Sequence, residues 1–381
     1  VHDALNQNNS WWGVSWGVEV PLYFAPSKDF VETPTLKRSN AHGIVGEECR
    51  KTREGVGLID ITAFSRYEVS GPRAHQWLNR VMACRIPDQG RVALAPMLSP
   101  SGKLQGDLTV LNWGDGTFWV MGSYYLRQWH MRWFESHMEE GVNLRDMSDA
   151  WVGLALAGPK SREVLERVVA NADVSPEAFS FLSCRKLDVG LSRARVARLS
   201  VIGELGYEIN VPAAEQLSLY RTLKKAGEEL GMHEFGFNAM LSMRLEKSFG
   251  IWSREFTQAY TPGMTGMDRF ISFKKGDFIG RDAALREKET GPKQRLVTLD
   301  IAADSADASG YEPVWQDGRR IGFVTSGGYG HYIGKSLAMA LVEPSCAAAG
   351  TSLSVHVVGV ERQAKVIAPS PYDPTGQRMR A

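Results

Sequence analysis

Residues 94–110 of this chain read LAPMLSPSGKLQGDLTV, in which an apolar run enters a turn and returns as an alternating run. The Pro/Ser/Gly turn between the two runs predicts a β-hairpin. Side chains alternate along a strand, so Asp107 is expected on the face opposite Leu108 and Val110. The hairpin therefore presents one carboxylate, which belongs either to an exposed strand face or to a functional site.

The composition is typical of a globular protein, with 381 residues, 43% hydrophobic, 23% charged and a net charge of +1. This length allows about two or three domains with substantial cores. Nucleic-acid binding requires a clustered basic surface, so the near-neutral charge predicts no nucleic-acid partner. No stretch approaches the roughly 18 apolar residues of a membrane span, so no membrane association is expected.

The cysteines and histidines show no metal-ligand spacing. The four cysteines are far apart and form no CxxC pair, which suits a reducing cytoplasm. The eight histidines form no HExxH motif, so we predict no metal. No strand–GxGxxG–helix segment opens the chain, so we expect it not to carry a flavin itself.

The order of predicted elements indicates an α+β fold. Residues 58–140 alternate strand, helix, strand, strand and helix, which is typical of a split βαβ sandwich. A second mixed region follows, and the Gly-Pro pair at 291–292 is the best boundary candidate. Beyond it, strands and frequent turns favour a small barrel or jelly roll. Residues 1–30 are rich in aromatics without a helical or strand period, and we expect an arm packed over another surface.

Six short motifs follow one another along the chain. They are Val56-Gly57-Leu58-Ile59-Asp60, Gly106-Asp107-Leu108, Gly203-Glu204-Leu205-Gly206-Tyr207-Glu208, Arg244-Leu245-Glu246, Lys275-Gly276-Asp277-Phe278-Ile279-Gly280-Arg281 and Thr325-Ser326-Gly327. In this order they resemble the glycine-cleavage T-protein (aminomethyltransferase) family over nearly the whole chain. The resemblance implies a three-domain cloverleaf around a central folate cavity. Its expected parts are a folate-binding domain (1–57 and 148–288), a ferredoxin-like α+β domain (58–147) and a C-terminal β-barrel (289–381).

One segment points to a branch of this family. Residues 249–255, FGIWSRE, depart from the GLxxYGND of aminomethyltransferases and are similar to the folate-binding domain of dimethylglycine and sarcosine dehydrogenases. The superfamily also contains stand-alone tetrahydrofolate-dependent demethylases. The resemblance therefore implies tetrahydrofolate as the cofactor and a small methylated donor as the substrate, and it leaves room for a flavoprotein partner.

The resemblance also assigns roles to three charged residues. Asp107 would sit beside N5 of the folate, orient that amine and accept its proton. Glu204, in a turn flanked by glycines, would accept paired hydrogen bonds from the pterin edge. Arg244 would bind the anionic glutamyl tail or hold Glu204 in place. Without the resemblance, a strand face, a solvated turn and a helix-surface ion pair explain the same residues.

Further candidates are aromatic or sulfur-containing. Tyr207 and Trp252 could stack on the pterin and Met97 could line the pocket, although all three also fit an ordinary core. Three tryptophans form a separate candidate site for a methylated onium donor: Trp11, Trp12 and Trp16. An aromatic face contributes ~0.5–2 kcal/mol to holding such a cation. The alternative is that these tryptophans pin a terminal arm to the protein body or to a neighbouring subunit.

The sequence thus predicts a stand-alone methyl- or aminomethyltransferase, which would act as a demethylase on its donor. It would move a one-carbon unit from an N-, S- or O-methylated small molecule to N5 of tetrahydrofolate. The alternative is a folate-binding subunit of a split dimethylglycine/sarcosine-type oxidase complex, capturing an iminium or formaldehyde. A third reading is a scaffold of the folate family that binds a regulator, against which the presence of Asp107 and Glu204 argues.

Overall fold

The structure is a computed structural model that describes residues 1–15 and 17–381. Helices and strands are interspersed along the chain. The helices are α1 (His2–Gln7), α2 (His42–Glu54), α3 (Ala74–Val81), α4 (Arg127–Ser136), α5 (Ser161–Val168), α6 (Gln216–Gly227), α7 (Phe237–Glu246), α8 (Pro262–Thr265), α9 (Arg281–Thr290) and α10 (Gln377–Arg380).

The strands form three large β structures and one hairpin. They are β1 (Ser10–Ser15), β2 (Val18–Phe24), β3 (Gly57–Asp60), β4 (Phe64–Ser70), β5 (Val92–Leu98), β6 (Leu104–Asn112), β7 (Phe118–Ser123), β8 (Asn143–Asp146), β9 (Trp151–Ala157), β10 (Val169–Ala170), β11 (Ser183–Val189), β12 (Ser192–Arg198), β13 (Gly206–Pro212), β14 (His233–Glu234), β15 (Arg295–Ile301), β16 (Pro313–Gln316), β17 (Arg319–Gly330), β18 (Lys335–Val342), β19 (Ser352–Val357) and β20 (Val360–Ile367).

The N-terminal region differs from the irregular arm that the sequence predicts, because it forms helix α1 and the antiparallel hairpin β1–β2. The register of the hairpin shifts between Trp11 and Trp12. Such a bulge adds one residue to a strand, so the two-residue period of the side chains is interrupted. The interruption explains why the alternation is hidden in the sequence.

The first sheet has seven strands in the order β10-β11-β12-β13-β9-β3-β14. One of its faces packs against α5 and α6 through apolar residues such as Leu165, Leu223 and Ile209. On the other face, α2 and α7 cover β3 through residues that include Cys49 and Met243. Burial of these apolar surfaces provides the main stabilisation of this part of the chain.

The second sheet has five strands in the order β5-β6-β7-β4-β8. Helices α3 and α4 cover one face, where Trp77 and Phe134 pack against Leu108 and Val110. The predicted hairpin is confirmed: β5 pairs with β6, and Asp107 lies opposite Pro96. The opposite face of β6, which helices α3 and α4 do not cover, carries Asp107. This face is turned towards the first sheet.

The third structure is a closed barrel in the order β15-β18-β17-β16-β19-β20, as predicted for the C-terminal part. Its interior is filled by apolar side chains, among them Leu299, Val355 and Ala338. Helix α7 joins it to the first sheet, because Ser242 Oγ donates to the carbonyl of Tyr329 at 2.7 Å.

The domain division stays a proposal, and the pairing of one strand bears on its first boundary. Strand β3 pairs with β9 in the first sheet. Residues 57–60 therefore lie in the first sheet. The predicted ferredoxin-like domain was expected to begin at residue 58, so its first three residues belong to this sheet instead. Within residues 1–15 and 17–381, no helix has both the length and the apolar character that crossing a membrane requires.

Candidate functional site

The first and second sheets face each other, and we call the region between them the interlayer space. On one side of it, Arg66 of β4 donates from Nε to Oδ1 of Asn210 on β13 at 2.8 Å. Elsewhere Leu111 of β6 belongs to the same apolar cluster as Ala197 of β12. The inner faces of both sheets therefore contribute side chains to one region.

Asp107 lies in this interlayer space, because it shares a strand face with Leu111 four residues further along β6. Asp107 is partly exposed, and the protein atoms around it still remove much of the water from its carboxyl group. No other residue of the described chain donates a hydrogen bond to its carboxylate. Burial raises the pKa of Asp107 to about 7, and the neighbouring Glu255 carboxylate adds to the rise. This carboxyl can exchange a proton near neutral pH.

Glu255, in the loop after α7, joins that loop and α7 to the barrel and lies close enough to Asp107 to affect its charge. Its buried carboxylate accepts hydrogen bonds from Ser326 Oγ on the barrel and from the backbone N–H of Ile251. Arg244 of α7 donates to it from Nη1 at 3.3 Å. Burial lowers the pKa of the Arg244 guanidinium, and the Glu255 charge opposes that effect. In the structure Arg244 is thus paired with Glu255, and Glu204 has other partners.

Several aromatic side chains lie in the region of Asp107. Burial raises the pKa of Tyr125 above its ordinary value, and the Asp107 carboxylate adds to the rise. Trp252 is 5% exposed and packs in the same apolar cluster as Tyr125. Burial also raises the pKa of Tyr260, and Tyr311 contributes further. Tyr311 itself is 69% exposed, so it forms the solvent-facing edge of this aromatic group, which we call the rim. The predicted Trp252 is therefore linked to Asp107 through Tyr125, which is close to both.

Glu208 occupies the facing wall of the interlayer space, on the same side of β13 as Asn210. It is partly exposed, and no residue of the described chain donates a hydrogen bond to its carboxylate. Burial raises its pKa to about 7, and the charge of Arg66 opposes the rise. Glu208 is thus a second carboxylate in this space without a hydrogen-bond donor in the chain.

Glu204 has a different environment, although it belongs to the same motif. It is 1% exposed, and its carboxylate accepts bonds from Arg53 Nη1, Arg378 Nε and the Tyr372 hydroxyl. Arg53 also donates to Glu246 at 2.8 Å, and none of its side chain is exposed. The guanidinium of Arg53 lies 3.8 Å from the centre of the Tyr372 ring. Glu204 is therefore part of a buried ion network that ties α2 and α7 to the C-terminal segment.

Two other predicted residues lie in apolar cores. Tyr207 projects from β13 on the face opposite Glu208, and its ring lies 5.6 Å from that of Phe179. Met97 is fully buried beside Leu108, under the helices of the second sheet. Both side chains point to the faces of their sheets that are turned away from the interlayer space.

The predicted donor-binding tryptophans pack within the N-terminal region. The ring of Trp11 stacks on Tyr23 with centroids 6.0 Å apart. The Trp12 Nε1–H donates to Oδ1 of Asn6 at 2.6 Å, and its ring packs against the core on the α5 and α6 side of the first sheet. Trp16 lies outside the described residues.

The sequence reasoning left three residues of this site unassigned: Glu208, Tyr125 and Glu255. Glu208 could have been found, because Tyr207, Ile209 and Val211 are apolar and alternation places Glu208 on the other face. Tyr125 and Glu255 carry no such signal, because each follows the end of a regular element and reaches Asp107 only through tertiary packing.

Comparison with known proteins identifies the class of protein to which this architecture belongs. The family description "GCVT N-terminal domain" matches residues 1–275, and "Glycine cleavage T-protein C-terminal barrel domain" matches residues 294–373. The chain belongs to the glycine-cleavage T-protein family, and the resemblance seen in the sequence is confirmed. The fold agrees, since the aminomethyltransferase T of the glycine cleavage system from Bartonella henselae superposes with a TM-score of 0.85. That match covers 98% of this chain and 97% of the other at 21% identity.

The chain is also similar to curated proteins of two kinds. It is 33% identical to rat mitochondrial dimethylglycine dehydrogenase over 93% of its own length and 42% of that protein. It is 29% identical to an aminomethyltransferase of Koribacter versatilis over 83% of its own length and 84% of that protein. A formaldehyde-forming 4-methylaminobutanoate oxidase of Paenarthrobacter nicotinovorans is 29% identical over 100% of the chain and 46% of that protein. The chain thus spans less than half the length of the two oxidising relatives.

Proposed function

We propose that this chain is a tetrahydrofolate-dependent one-carbon transferase whose site is the interlayer space. One observation carries the proposal: Asp107 and Glu208 lie on the facing walls, each without a hydrogen-bond donor in the described chain. A reduced pteridine presents several N–H donors along its edge, and a carboxylate accepts such donors in strong, charge-assisted bonds. Aromatic rings such as Trp252 and Tyr125 offer apolar surface for a flat ring system beside Asp107.

We assign pteridine binding to Glu208 rather than to Glu204. The Glu204 carboxylate already accepts hydrogen bonds from Arg53, Tyr372 and Arg378. Its buried position leaves no accessible oxygen for a ligand, whereas Glu208 keeps solvent access. A buried carboxylate that lacks a partner is costly, so a donor from a ligand would stabilise Glu208.

Asp107 is the residue that we propose for proton transfer. Tetrahydrofolate supplies a nucleophilic nitrogen, N5, to which a one-carbon unit can be attached. With a pKa of about 7, the Asp107 carboxylate can accept a proton at an Oδ atom near neutral pH and release it to water afterwards. Its negative form also stabilises a cationic one-carbon donor beside it, because the surrounding protein screens charge less than water does.

Glu255 and Arg244 act as positioning residues in this proposal. The buried pair fixes the loop after α7 against the barrel through Ser326. Glu255 also keeps the pKa of Asp107 high, because two neighbouring carboxylates resist being charged together. The donor that we propose is an N-, S- or O-methylated small molecule.

A second candidate function is supported by the similarity to dimethylglycine dehydrogenase. The chain matches 42% of that protein, so it corresponds to one part of a larger oxidising enzyme. In this alternative the chain is the folate-binding part of a dimethylglycine- or sarcosine-type oxidase system. A flavoprotein partner would generate an iminium or formaldehyde, which the interlayer space would receive.

One experiment tests the proposal and separates the two candidates. The protein is titrated with tetrahydrofolate by calorimetry and then incubated with tetrahydrofolate and a panel of methylated donors without any flavoprotein. Formation of 5-methyltetrahydrofolate supports the demethylase. Formation of 5,10-methylene product only in the presence of an oxidising flavoprotein, at a rate above that of free formaldehyde, supports the capture subunit. Failure to bind tetrahydrofolate would contradict both.

A further inference from the structure

Arg254 is a cation beside the proposed site that has no acidic partner in the described part of the chain. It directly precedes Glu255, and its side chain is partly exposed. Its guanidinium carbon lies 5.4 Å from the centre of the Tyr311 ring, at the rim of the site. The other guanidinium of the site, that of Arg244, is by contrast bound to Glu255.

The Arg254 guanidinium lies against the backbone at Gly310. A Cβ atom built on Gly310 would lie 2.7 Å from Nη1 of Arg254 and 3.0 Å from the carbonyl oxygen of Thr325. Gly310 also has a φ of +145°, which side-chain-bearing residues rarely adopt. The glycine therefore allows the guanidinium to approach the backbone, and the Tyr311 ring covers it. The Arg254 cation therefore lies between the Gly310 backbone and an aromatic ring, and its partial exposure leaves it accessible to an anion.

The charges around Arg254 favour an added anion. Burial lowers the pKa of Arg244; Glu255 opposes this effect, and the nearby Arg254 charge adds to it. Two guanidinium groups thus lie near each other in this region, and only that of Arg244 is paired with Glu255. Tyr311 lies between Arg254 and the surroundings of Asp107. Burial raises the pKa of Tyr125, and the charges of Asp107 and Tyr311 both add to the rise.

We propose that Arg254 binds a carboxylate of a small molecule in the interlayer space, as the anchor that fixes its orientation; this inference rests on the proposed function. The planar guanidinium can hold a carboxylate through two parallel hydrogen bonds. Two molecules can supply that group: the glutamyl tail of tetrahydrofolate and a methylated amino acid that serves as the donor. In both cases the anchor lies at the rim and the reacting atoms lie at Asp107.

The test compares the wild-type protein with Arg254→Gln and Arg254→Lys. The probes are tetrahydrofolate, 6-methyltetrahydropterin (which has no glutamyl tail), N,N-dimethylglycine and dimethylamine (which has no carboxylate), each titrated by calorimetry. Loss of a charge-assisted pair weakens binding about ten- to hundredfold. The probes form two pairs: tetrahydrofolate with 6-methyltetrahydropterin, and N,N-dimethylglycine with dimethylamine. In one of these pairs we expect Arg254→Gln to weaken binding of the carboxylate-bearing member by that factor. The affinity for the other member of that pair should stay within twofold of the wild-type value. Arg254→Lys should restore part of the loss.

The affected pair of probes identifies the source of the carboxylate. Arg185→Gln is the matched control, because Arg185 also stacks on an aromatic ring, with its guanidinium 5.6 Å from the centre of Phe179 on the outer face of the first sheet. Equal affinities of the wild type and Arg254→Gln for all bound probes would overturn the inference and leave the proposed function intact. A wild type that binds none of the four probes would overturn both, and circular dichroism of each variant excludes unfolding as the cause.

Discussion

Glu204 and Glu208 are four residues apart in one motif, and their carboxylates have opposite environments. Glu204 is buried and accepts hydrogen bonds from Arg53, Tyr372 and Arg378. Glu208 points from β13 into the interlayer space and has no donor in the described chain. The turn before β13 thus supplies a structural carboxylate, and the strand itself supplies one that is free for a ligand.

This contrast gives a paired prediction. Glu208→Gln should weaken tetrahydrofolate binding about ten- to hundredfold, because it replaces a charged acceptor with an amide. Its free energy of unfolding should be unchanged or slightly higher. Glu204→Gln should lower the free energy of unfolding by roughly 3–5 kcal/mol, because it leaves buried arginines incompletely paired. Calorimetry and urea denaturation of both variants check the pair, and the reverse pattern would restore Glu204 as the ligand-binding residue.

Removing the proton acceptor should affect turnover more than binding. For Asp107→Asn we predict a loss of about 100- to 10,000-fold in kcat, the range expected of a general base, with a tetrahydrofolate Kd within about fivefold. Asp115→Asn is the control, because Asp115 lies in the turn between β6 and β7 and pairs with Lys186. If Asp107→Asn retains wild-type kcat, Asp107 has no part in the proton transfer.

The raised pKa of Asp107 has a consequence for stability. Below about pH 4 the carboxyl is protonated in both the folded and the unfolded chain. Between about pH 4 and 7 the unfolded chain releases this proton while the folded protein retains it, so this contribution to stability is lost as the pH rises. Asp107→Asn should therefore become progressively more stable than the wild type over this range, by an amount on the order of 4 kcal/mol at pH 8. Denaturation curves at pH 4, 6 and 8 measure the difference, and a constant offset would refute the prediction.

The buried pair behind Asp107 should show coupled energetics. Glu255→Gln leaves Arg244 buried without its ion-pair partner and should lower the free energy of unfolding by roughly 3–5 kcal/mol. The double variant Arg244→Met/Glu255→Gln should be less destabilised than the sum of the single variants, because it removes both charges together. A double-mutant cycle measured in urea tests this, and strict additivity would show that the two residues do not interact.

The N-terminal tryptophans should affect stability rather than donor binding. Trp12 packs against the first sheet and is held by Asn6, so Trp12→Ala should lower the free energy of unfolding by about 1–3 kcal/mol. The KM for the donor should stay within twofold, with Trp12→Phe as the milder control. An increase in donor KM at unchanged stability would favour the onium-binding hypothesis instead.

Local sequence signals predicted the parts of the molecule that depend on local structure. The turn after Leu98 and the alternation after Leu104 predicted the hairpin and the orientation of Asp107. The regular turn-and-strand pattern beyond residue 294 predicted the barrel, which the structure closes. Both features depend on neighbouring residues, so they can be recognised without knowledge of the tertiary fold.

Long-range packing decided the parts that the sequence did not reveal. Glu255 meets Ser326 across 71 residues of sequence, and Glu204 meets Tyr372 across 168. Neither contact leaves a periodic trace in the chain. Glu204 lies in a glycine-flanked turn, which suggests an exposed residue, but the C-terminal segment covers it.

The most direct test of the central claim is a crystal structure of the protein with bound tetrahydrofolate. We predict that the pteridine lies between β6 and β13, with N5 about 3 Å from an Asp107 oxygen and its edge N–H groups directed at Glu208. A pteridine bound outside the interlayer space, with both carboxylates still facing solvent, would contradict the account.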